Sequence, residues 1–293
     1  MESSAEMSPW EGLENARVYH YKGIQNLKEL VKSQSAALMD GHTNQQYVVF
    51  TGVTEGDLEN IDQRASIGRY TRLSHYTESK LLVIKLMPLV AHEAAHANLS
   101  RYLDRALWQM GLPDKSFFAV GTGRVSRPGS FKEGDAAFKP LPSREKETDW
   151  PTIVFESGVS ESLKRLRHDA RWWLEKSDGN VKIVIIISIR ERQKSLHLEK
   201  WRLAPALGNR PATRARPNPK SETPTKIQEI TIVQTPAAAQ PGTIPTYNVT
   251  GAPVILEFDK LLLRPPVPPN ETDVVFSVAD LESWADFFWS GIK

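Results

Sequence analysis

Two acidic residues in the middle of the chain have the setting of a metal site. Asp135 lies on a strand predicted over residues 131–138, and Glu156 directly follows the apolar run 153–155. Side chains at strand ends are presented to ligands at the edge of a sheet. Two carboxylates held together repel each other, and Mg²⁺ relieves that repulsion because it prefers oxygen ligands. Such a metal activates water, so the pair predicts hydrolysis of a phosphodiester.

A second pattern, His92-Glu93-Ala94-Ala95-His96, offers different chemistry. It lies in a helix predicted over residues 89–110. Positions four apart share one face of a helix, so both histidines could bind one Zn²⁺ while the glutamate acts as general base. The pattern is typical of zinc metallopeptidases, although the usual third histidine does not follow it. The alternative is a histidine-rich helix surface near a polar cleft.

Basic residues crowd a third segment, a helix predicted over residues 161–176. Arg165, Arg167 and Arg171 all lie on it, a short distance after Glu156. Phosphate binding requires positive charge beside the acidic site, so we expect these arginines to contact nucleic acid. The alternative is a solvated helix face whose charges pair with neighbouring acids.

The elements that must position these residues alternate between helices and strands. The predicted order is helix 89–110, strand 117–120, strand 131–138, strand 152–156, helix 161–176 and strand 181–189. The last of these is continuously apolar, which is typical of a central strand covered on both faces. We therefore predict an α/β (α+β) protein with a mixed central sheet flanked by helices.

This order resembles that of the restriction-endonuclease-like, PD-(D/E)XK, superfamily. The resemblance implies that Glu93, Asp135 and Glu156 bind Mg²⁺ and that the two acids of the sheet are catalytic together with a lysine. The family lysine falls at Gly158 here. Some members carry it on the following helix, where Lys164 is the candidate. If no lysine reaches the site, the chain is a degenerate relative that binds or scaffolds.

The resemblance covers roughly residues 89–203. The chain is also similar to a group of uncharacterised fungal proteins, in segments 85–96, 150–173 and 198–203. That similarity assigns no activity. Three hypotheses result: a metal-dependent nuclease-like domain, a zinc metallopeptidase, and a non-catalytic interaction module.

Composition divides the chain into four predicted segments. Residues 1–20 are expected to be a flexible tail, and residues 21–203 to be the nuclease-like α/β core with an N-terminal extension. Residues 204–253 are Pro-rich and are expected to be a loop or insertion. Residues 254–293 are expected to add a strand and a helix that pack on the core.

Composition and charge limit the classes of function. The 293 residues include 37 Lys and Arg against 35 Asp and Glu, a net charge of +2 that neither requires nor excludes nucleic acid. The absence of cysteine excludes disulfides and thiolate catalysis. No signal peptide or membrane-length apolar run is present, so we expect a cytoplasmic or nuclear protein without a membrane partner. Nucleic acid is the partner expected under the nuclease hypothesis.

Overall fold

The structure is a computed structural model that describes residues 7–64, 67, 71–87, 90–121, 124–127, 129–159, 163–205, 222–235 and 245–292. Its helices are α1 (Ile24–Met39), α2 (Glu55–Arg64), α3 (Val90–Gln109), α4 (Leu163–Lys176), α5 (Phe258–Leu262) and α6 (Val278–Gly291). Its strands are β1 (Arg17–His20), β2 (Tyr47–Thr51), β3 (Thr71–Tyr76), β4 (Leu81–Leu86), β5 (Phe117–Ala119), β6 (Arg124–Arg127), β7 (Ser130–Glu133), β8 (Ala136–Pro140), β9 (Ile153–Val159), β10 (Ile183–Arg190), β11 (Ser195–Pro205), β12 (Glu222–Thr235), β13 (Thr246–Thr250), β14 (Val254–Leu256) and β15 (Val274–Phe276).

The described strands form two large sheets and one small one. The first sheet has the order β1-β2-β4-β3-β7-β6, and the second has the order β13-β12-β11-β10-β9-β8-β5. Each contains one parallel pair, β1 with β2 and β9 with β10, among antiparallel neighbours. Strands β14 and β15 form the small sheet. Helices pack on these mixed sheets, which confirms the predicted fold class.

Strand β10 is the centre of the second sheet, and its sequence explains why. Side chains of a strand alternate between the two faces of the sheet. The odd-numbered residues of β10 pack in one cluster with α3 and α6: Ile183, Ile185, Ile187 and Ile189. Val184 and Ile186 pack on the other face with α4. Because both faces are covered, the run is apolar throughout, as predicted.

The predicted order of core elements is present, with one break. Helix α3, strands β5, β8 and β9, helix α4 and strand β10 follow one another along the chain. The strand predicted over 131–138, however, is divided into β7 and β8, which belong to different sheets. The break lies at Gly134, where a Cβ atom would approach Trp173 Cζ2 to 3.1 Å. The indole of Trp173 thus packs directly against the backbone where the chain passes from one sheet to the other.

Some segments outside the core carry more structure than expected. Residues 1–6 lie outside the described part, but residues 7–20 include β1 and the buried Leu13. Of the Pro-rich segment 204–253, the structure describes β12 and β13, which extend the second sheet beyond β11. Residues 206–221 and 236–244 lie outside the described residues. In the described part of the chain, no helix is both long and apolar enough to cross a membrane.

The C-terminal residues pack on the core. A capping box starts α6: the Ser277 side chain accepts a bond from the backbone N–H of Asp280, whose carboxylate accepts from the Ser277 backbone. Leu281, Trp284 and Phe288 are buried in the same cluster as α3 and the odd-numbered residues of β10. The reciprocal cap fixes where the helix begins and so which face it buries.

Candidate active site

The predicted acids lie where the two large sheets meet. Asp135 follows the break between β7 and β8, and Glu156 lies within β9. Their side chains are 0 % and 1 % exposed. Helix α3 covers them with His92 and His96, both buried. Strand β4 of the first sheet adds Lys85, whose side chain is 5 % exposed.

Asp135 accepts several donors on one oxygen. Its Oδ2 lies 3.0 Å from Lys85 Nζ and 2.7 Å from the backbone N of Ser157. His92 Nε2 lies 3.3 Å from the same oxygen. Burial alone would raise the pKa of Asp135, but the lysine and the histidine overcome it and hold the pKa well below its ordinary value. The carboxylate is therefore ionised at neutral pH.

Glu156 has a different environment. The indole N–H of Trp173 donates to its Oε1 at 2.6 Å. Lys85 Nζ lies 3.7 Å from Oε2, and Lys132 Nζ lies 3.6 Å from Oε1. Burial raises the pKa of Glu156, the nearby Asp135 raises it further, and the two lysines oppose that rise. Two acids with pKa values displaced in opposite directions are typical of a functional site.

Lys85 is the residue that joins the two acids. Its ammonium group contacts both carboxylates and also donates to the backbone oxygen of Ser157 at 2.7 Å. The (D/E)-x-K position holds Gly158, so β9 itself supplies no lysine. The cation that contacts both acids belongs instead to β4, a strand of the other sheet.

The histidines of the second pattern point at Asp135. The metal-binding atoms of His92, His96 and Asp135 all lie within 4.8 Å of one another. His96 Nδ1 also lies 3.1 Å from Ser157 Oγ. Burial lowers the pKa of His92, which favours the neutral ring that a metal requires. Among the described residues, one further group has side-chain atoms close enough together to hold a metal ion: His197, Glu199 and Glu229. The two sequence patterns therefore meet in one site.

The donor set determines which metal fits. His92 and His96 offer ring nitrogens and Asp135 offers a carboxylate, a set that suits Zn²⁺ or Mn²⁺ better than Mg²⁺. Two buried atoms of this group, His92 Nδ1 and Asp135 Oδ1, have no hydrogen-bond partner among the described residues. The nearest cation to that oxygen is Arg72 Nε at 3.9 Å. The chemistry and spacing of these residues fit a metal.

Glu93 connects the buried group to solvent. Its side chain is 41 % exposed, and it lies 3.4 Å from Arg72 Nη2 and 3.6 Å from His96 Nε2. The contact with His96, followed by the charge of Arg72, lowers the pKa of Glu93 despite partial burial. Glu93 thus faces the histidines and the arginine, and Lys85 stands between Asp135 and Glu156. The carboxylates of the three predicted Mg²⁺ ligands, Glu93, Asp135 and Glu156, are not all close enough to one another to hold a single metal ion.

The predicted basic residues of α4 lie elsewhere. Lys164 is exposed and forms an ion pair with Glu14, so it does not supply the charge at the acids. Arg165 is buried, with its Nε 3.3 Å from Asp169 Oδ1. Lys164 thus pairs with the N-terminal segment, whereas Arg165 pairs within α4 and also donates to the backbone oxygen of Pro9 at 2.9 Å, so both charges serve contacts within the fold.

The other two arginines are also engaged in ion pairs. Arg167 Nε lies 3.1 Å from both carboxylate oxygens of Glu199 on β11. Arg171 Nη2 lies 2.5 Å from Glu11 Oε2. The expectation that Arg165, Arg167 and Arg171 contact nucleic acid is thus not supported by their surroundings, which already neutralise them.

A further ion pair lies behind Glu156 and was not predicted. Lys132 of β7 lies 3.0 Å from Asp169 Oδ2 of α4 and also approaches Glu156. Arg165 and Lys132 together lower the pKa of Asp169 strongly against its burial. One signal was available for Lys85, which is the single charge inside an otherwise apolar, buried strand. Lys132 is also buried in β7, but Glu133 follows it there.

Comparisons with known proteins assign no family. No protein-family model matches the chain, and no curated protein matches it. Among solved structures, the chain is similar to a protein of the DUF820 group from Anabaena variabilis ATCC 29413, described as a putative nuclease, with 12% sequence identity and a TM-score of 0.38. The alignment covers 73% of this chain and 90% of that chain. The likeness assigns no activity to this chain.

Proposed function

We propose that this chain is a nuclease-like, metal-dependent phosphodiester hydrolase in which Lys85 takes the role of the missing family lysine. The observation that carries the proposal is the position of the Lys85 ammonium, 3.0 Å from Asp135 and 3.7 Å from Glu156. Two acids and a lysine are thereby brought together although Gly158 occupies the expected position. This trio has the composition, two acids and a lysine, that the resemblance to the restriction-endonuclease-like superfamily implies for the site.

Each residue of the site has a definite part in this proposal. Asp135, His92 and His96 would hold the metal, which when bound activates water and offsets phosphate charge. Lys85 keeps Asp135 ionised by donating to its Oδ2. Glu93, ionised and half-exposed, would orient His96 through its contact at 3.6 Å at the solvent edge of the site.

A second candidate is a non-catalytic relative of the same fold. The observation that favours it is burial: Asp135 and Glu156 are 0 % and 1 % exposed, and two lysines already compensate Glu156. A phosphodiester must reach the carboxylates to be hydrolysed, so activity would require the cover of α3 to open. In this case the buried acids and lysines only stabilise the contact between the two sheets.

The zinc metallopeptidase hypothesis is not favoured. His92 and His96 do share a carboxylate, as that hypothesis requires. A catalytic zinc, however, keeps an open position for water and substrate. His92 is fully buried and His96 is 4 % exposed, so a peptide would need the same opening of α3 as a phosphodiester. The peptidase hypothesis gives no part to the buried contact between Glu156 and Lys85, which the nuclease-like proposal uses.

The proposal is tested by cleavage of plasmid and single-stranded DNA with Mg²⁺, Mn²⁺ or Zn²⁺, with EDTA as the metal-free control. We expect Glu156→Gln and Lys85→Met to lower the rate by about a hundredfold or more, as loss of a preorganised charged group does. Glu78→Gln is the matched control, since Glu78 is exposed in the turn between β3 and β4.

Equal rates in the parent and Glu156→Gln would overturn the assignment of the site. A folded parent that cleaves no substrate with any of the three metals would favour the non-catalytic candidate instead. Thermal unfolding of each variant establishes that lost activity is not lost folding.

A further inference from the structure

A cavity of about 480 Å³ lies between α3 and α6, outside the candidate active site. Arg101, Tyr102 and Arg105 line it from α3, and Phe287 lines it from α6. Its volume is within the range of small-molecule sites. The two arginines are exposed, and no ion pair is recorded for either of them within the part of the chain that the structure describes. Asp104 also lines the cavity, which therefore combines two arginines against one acid with aromatic surface.

Aromatic side chains continue along the same helix. A neighbouring cavity of about 270 Å³ shares Asp104 with the first and is lined by Trp108. The Trp108 side chain is 68 % exposed and Phe287 is 55 % exposed. Large exposed aromatics of this kind mark interaction sites. Both cavities border the exposed side of α3 that carries Arg101, Arg105 and Trp108, and we call this surface the α3 groove.

The chemistry of the α3 groove selects its ligand. Arginines bind phosphate oxygens, and exposed aromatic rings stack on unpaired bases. Asp104, whose pKa is raised by partial burial, lies between the two arginines along the helix. A carboxyl group there can accept a hydrogen bond from the amino group of a base. A purely anionic ligand has no such donor. Base and phosphate recognition are therefore both present.

The α3 groove lies on the same helix as Glu93, His92 and His96 of the candidate active site. Glu93 and Arg101 are eight residues apart on α3, which is about 12 Å along the helix axis. Positive charge placed at that distance would guide a charged strand toward the acids. The arginines of α4, in contrast, are held in internal ion pairs.

We propose that the α3 groove binds single-stranded nucleic acid, with Arg101 and Arg105 on the phosphates and Phe287 and Trp108 stacked on bases. The inference rests on the proposed function for its connection to cleavage, but the binding itself does not require the acids. Double-stranded DNA is disfavoured because stacking on the aromatic rings needs unpaired bases.

The test is fluorescence anisotropy of a short fluorescein-labelled oligodeoxythymidine in EDTA, where no metal-dependent cleavage occurs. We expect Arg101→Glu with Arg105→Glu to weaken binding at least about tenfold and to lower the slope of log affinity against log salt by about 1.4, the value for two phosphate contacts on a single strand. Phe287→Ala is expected to weaken binding about five- to tenfold with the slope unchanged.

The matched control is Arg17→Glu with Lys22→Glu, the same change in charge at exposed positions of the first sheet region. Equal weakening by both charge reversals would overturn the proposal, because binding would then depend on overall charge alone. No binding by the parent at low salt, or equal competition by polyglutamate, would also overturn it. Binding that persists in a chain without cleavage activity refutes the proposed function and leaves the α3 groove as a nucleic-acid site.

Discussion

Replacing Lys85 with methionine removes the cation that joins the two buried acids. At an effective dielectric constant of about 20, an ion pair at the 3.0 Å separation from Asp135 is worth about 5 kcal/mol, and one at 3.7 Å from Glu156 about 4 kcal/mol. The desolvation of the lysine offsets several kcal/mol of this attraction. We therefore expect Lys85→Met to lower the free energy of unfolding by about 3–5 kcal/mol near pH 7, as loss of one buried partner does.

The loss should depend on pH in a direction fixed by the carboxylates. In the parent, the pKa of Asp135 is lowered, so its stabilising contribution is present above the unfolded pKa and is lost as the pH falls through the folded value. Without Lys85, burial and repulsion from Glu156 raise the carboxyl pKa above the unfolded value. The folded variant therefore holds this proton more tightly than the unfolded chain does, and it loses stability as the pH rises and the proton must leave. The difference in free energy of unfolding between parent and variant is thus largest near pH 7 and smaller near pH 5.

The assay is urea unfolding followed by tryptophan fluorescence, at about pH 7 and about pH 5. Lys22→Met is the matched control, because Lys22 is exposed in the loop before α1. Adding Asp135→Asn to Lys85→Met should cost less than the two single changes combined, since both remove one interaction. A deficit below about 1 kcal/mol that does not change with pH would refute the assignment of Lys85 as the charge that joins the acids.

Three further predictions concern packing, capping and metal binding. Gly134→Ala should cost about 1–3 kcal/mol in urea unfolding and change the near-UV circular dichroism of Trp173, because the added Cβ would lie 3.1 Å from the indole. Ser277→Ala should lower the free energy of unfolding by about 1 kcal/mol, because the capping box is lost. Zn²⁺ should raise the melting temperature of the parent and not that of His96→Ala, whereas the exposed His42→Ala should still respond.

Each of these has an outcome that contradicts it. An unchanged unfolding curve for Gly134→Ala would show that the indole of Trp173 moves aside. An unchanged unfolding curve for Ser277→Ala would show that α6 is held by packing alone. Equal stabilisation of all three proteins by Zn²⁺ would place the metal outside the histidine pair.

The order of the core elements could be predicted because it depends on local patterns. The apolar run of β10 and the helical spacing in α3 and α4 are visible in a short window of sequence. The division at Gly134 was not visible, because the glycine packs against Trp173, which is 39 residues further along the chain. A pattern read along one segment does not contain the volume of a distant side chain.

The candidate site was predicted in part for the same reason. Asp135, Glu156, His92 and His96 were identified because residue type and local spacing pointed to them. Lys85 was not assigned, because its role depends on contact between two sheets. Charge patterns also could not tell an exposed cation from a paired one, and Arg165 is an example: it is 1 % exposed and bound to Asp169.

The position of Lys85 has a consequence for synthesis of the chain on the ribosome. The residue belongs to β4, but its partners are 50 and 72 positions further along the chain. Until residue 157 has emerged, the first sheet must either remain open or bury an ammonium group without its acids, which is unfavourable. The strands of that sheet are therefore exposed during elongation, and binding of a chaperone to the nascent chain should persist until β9 is complete.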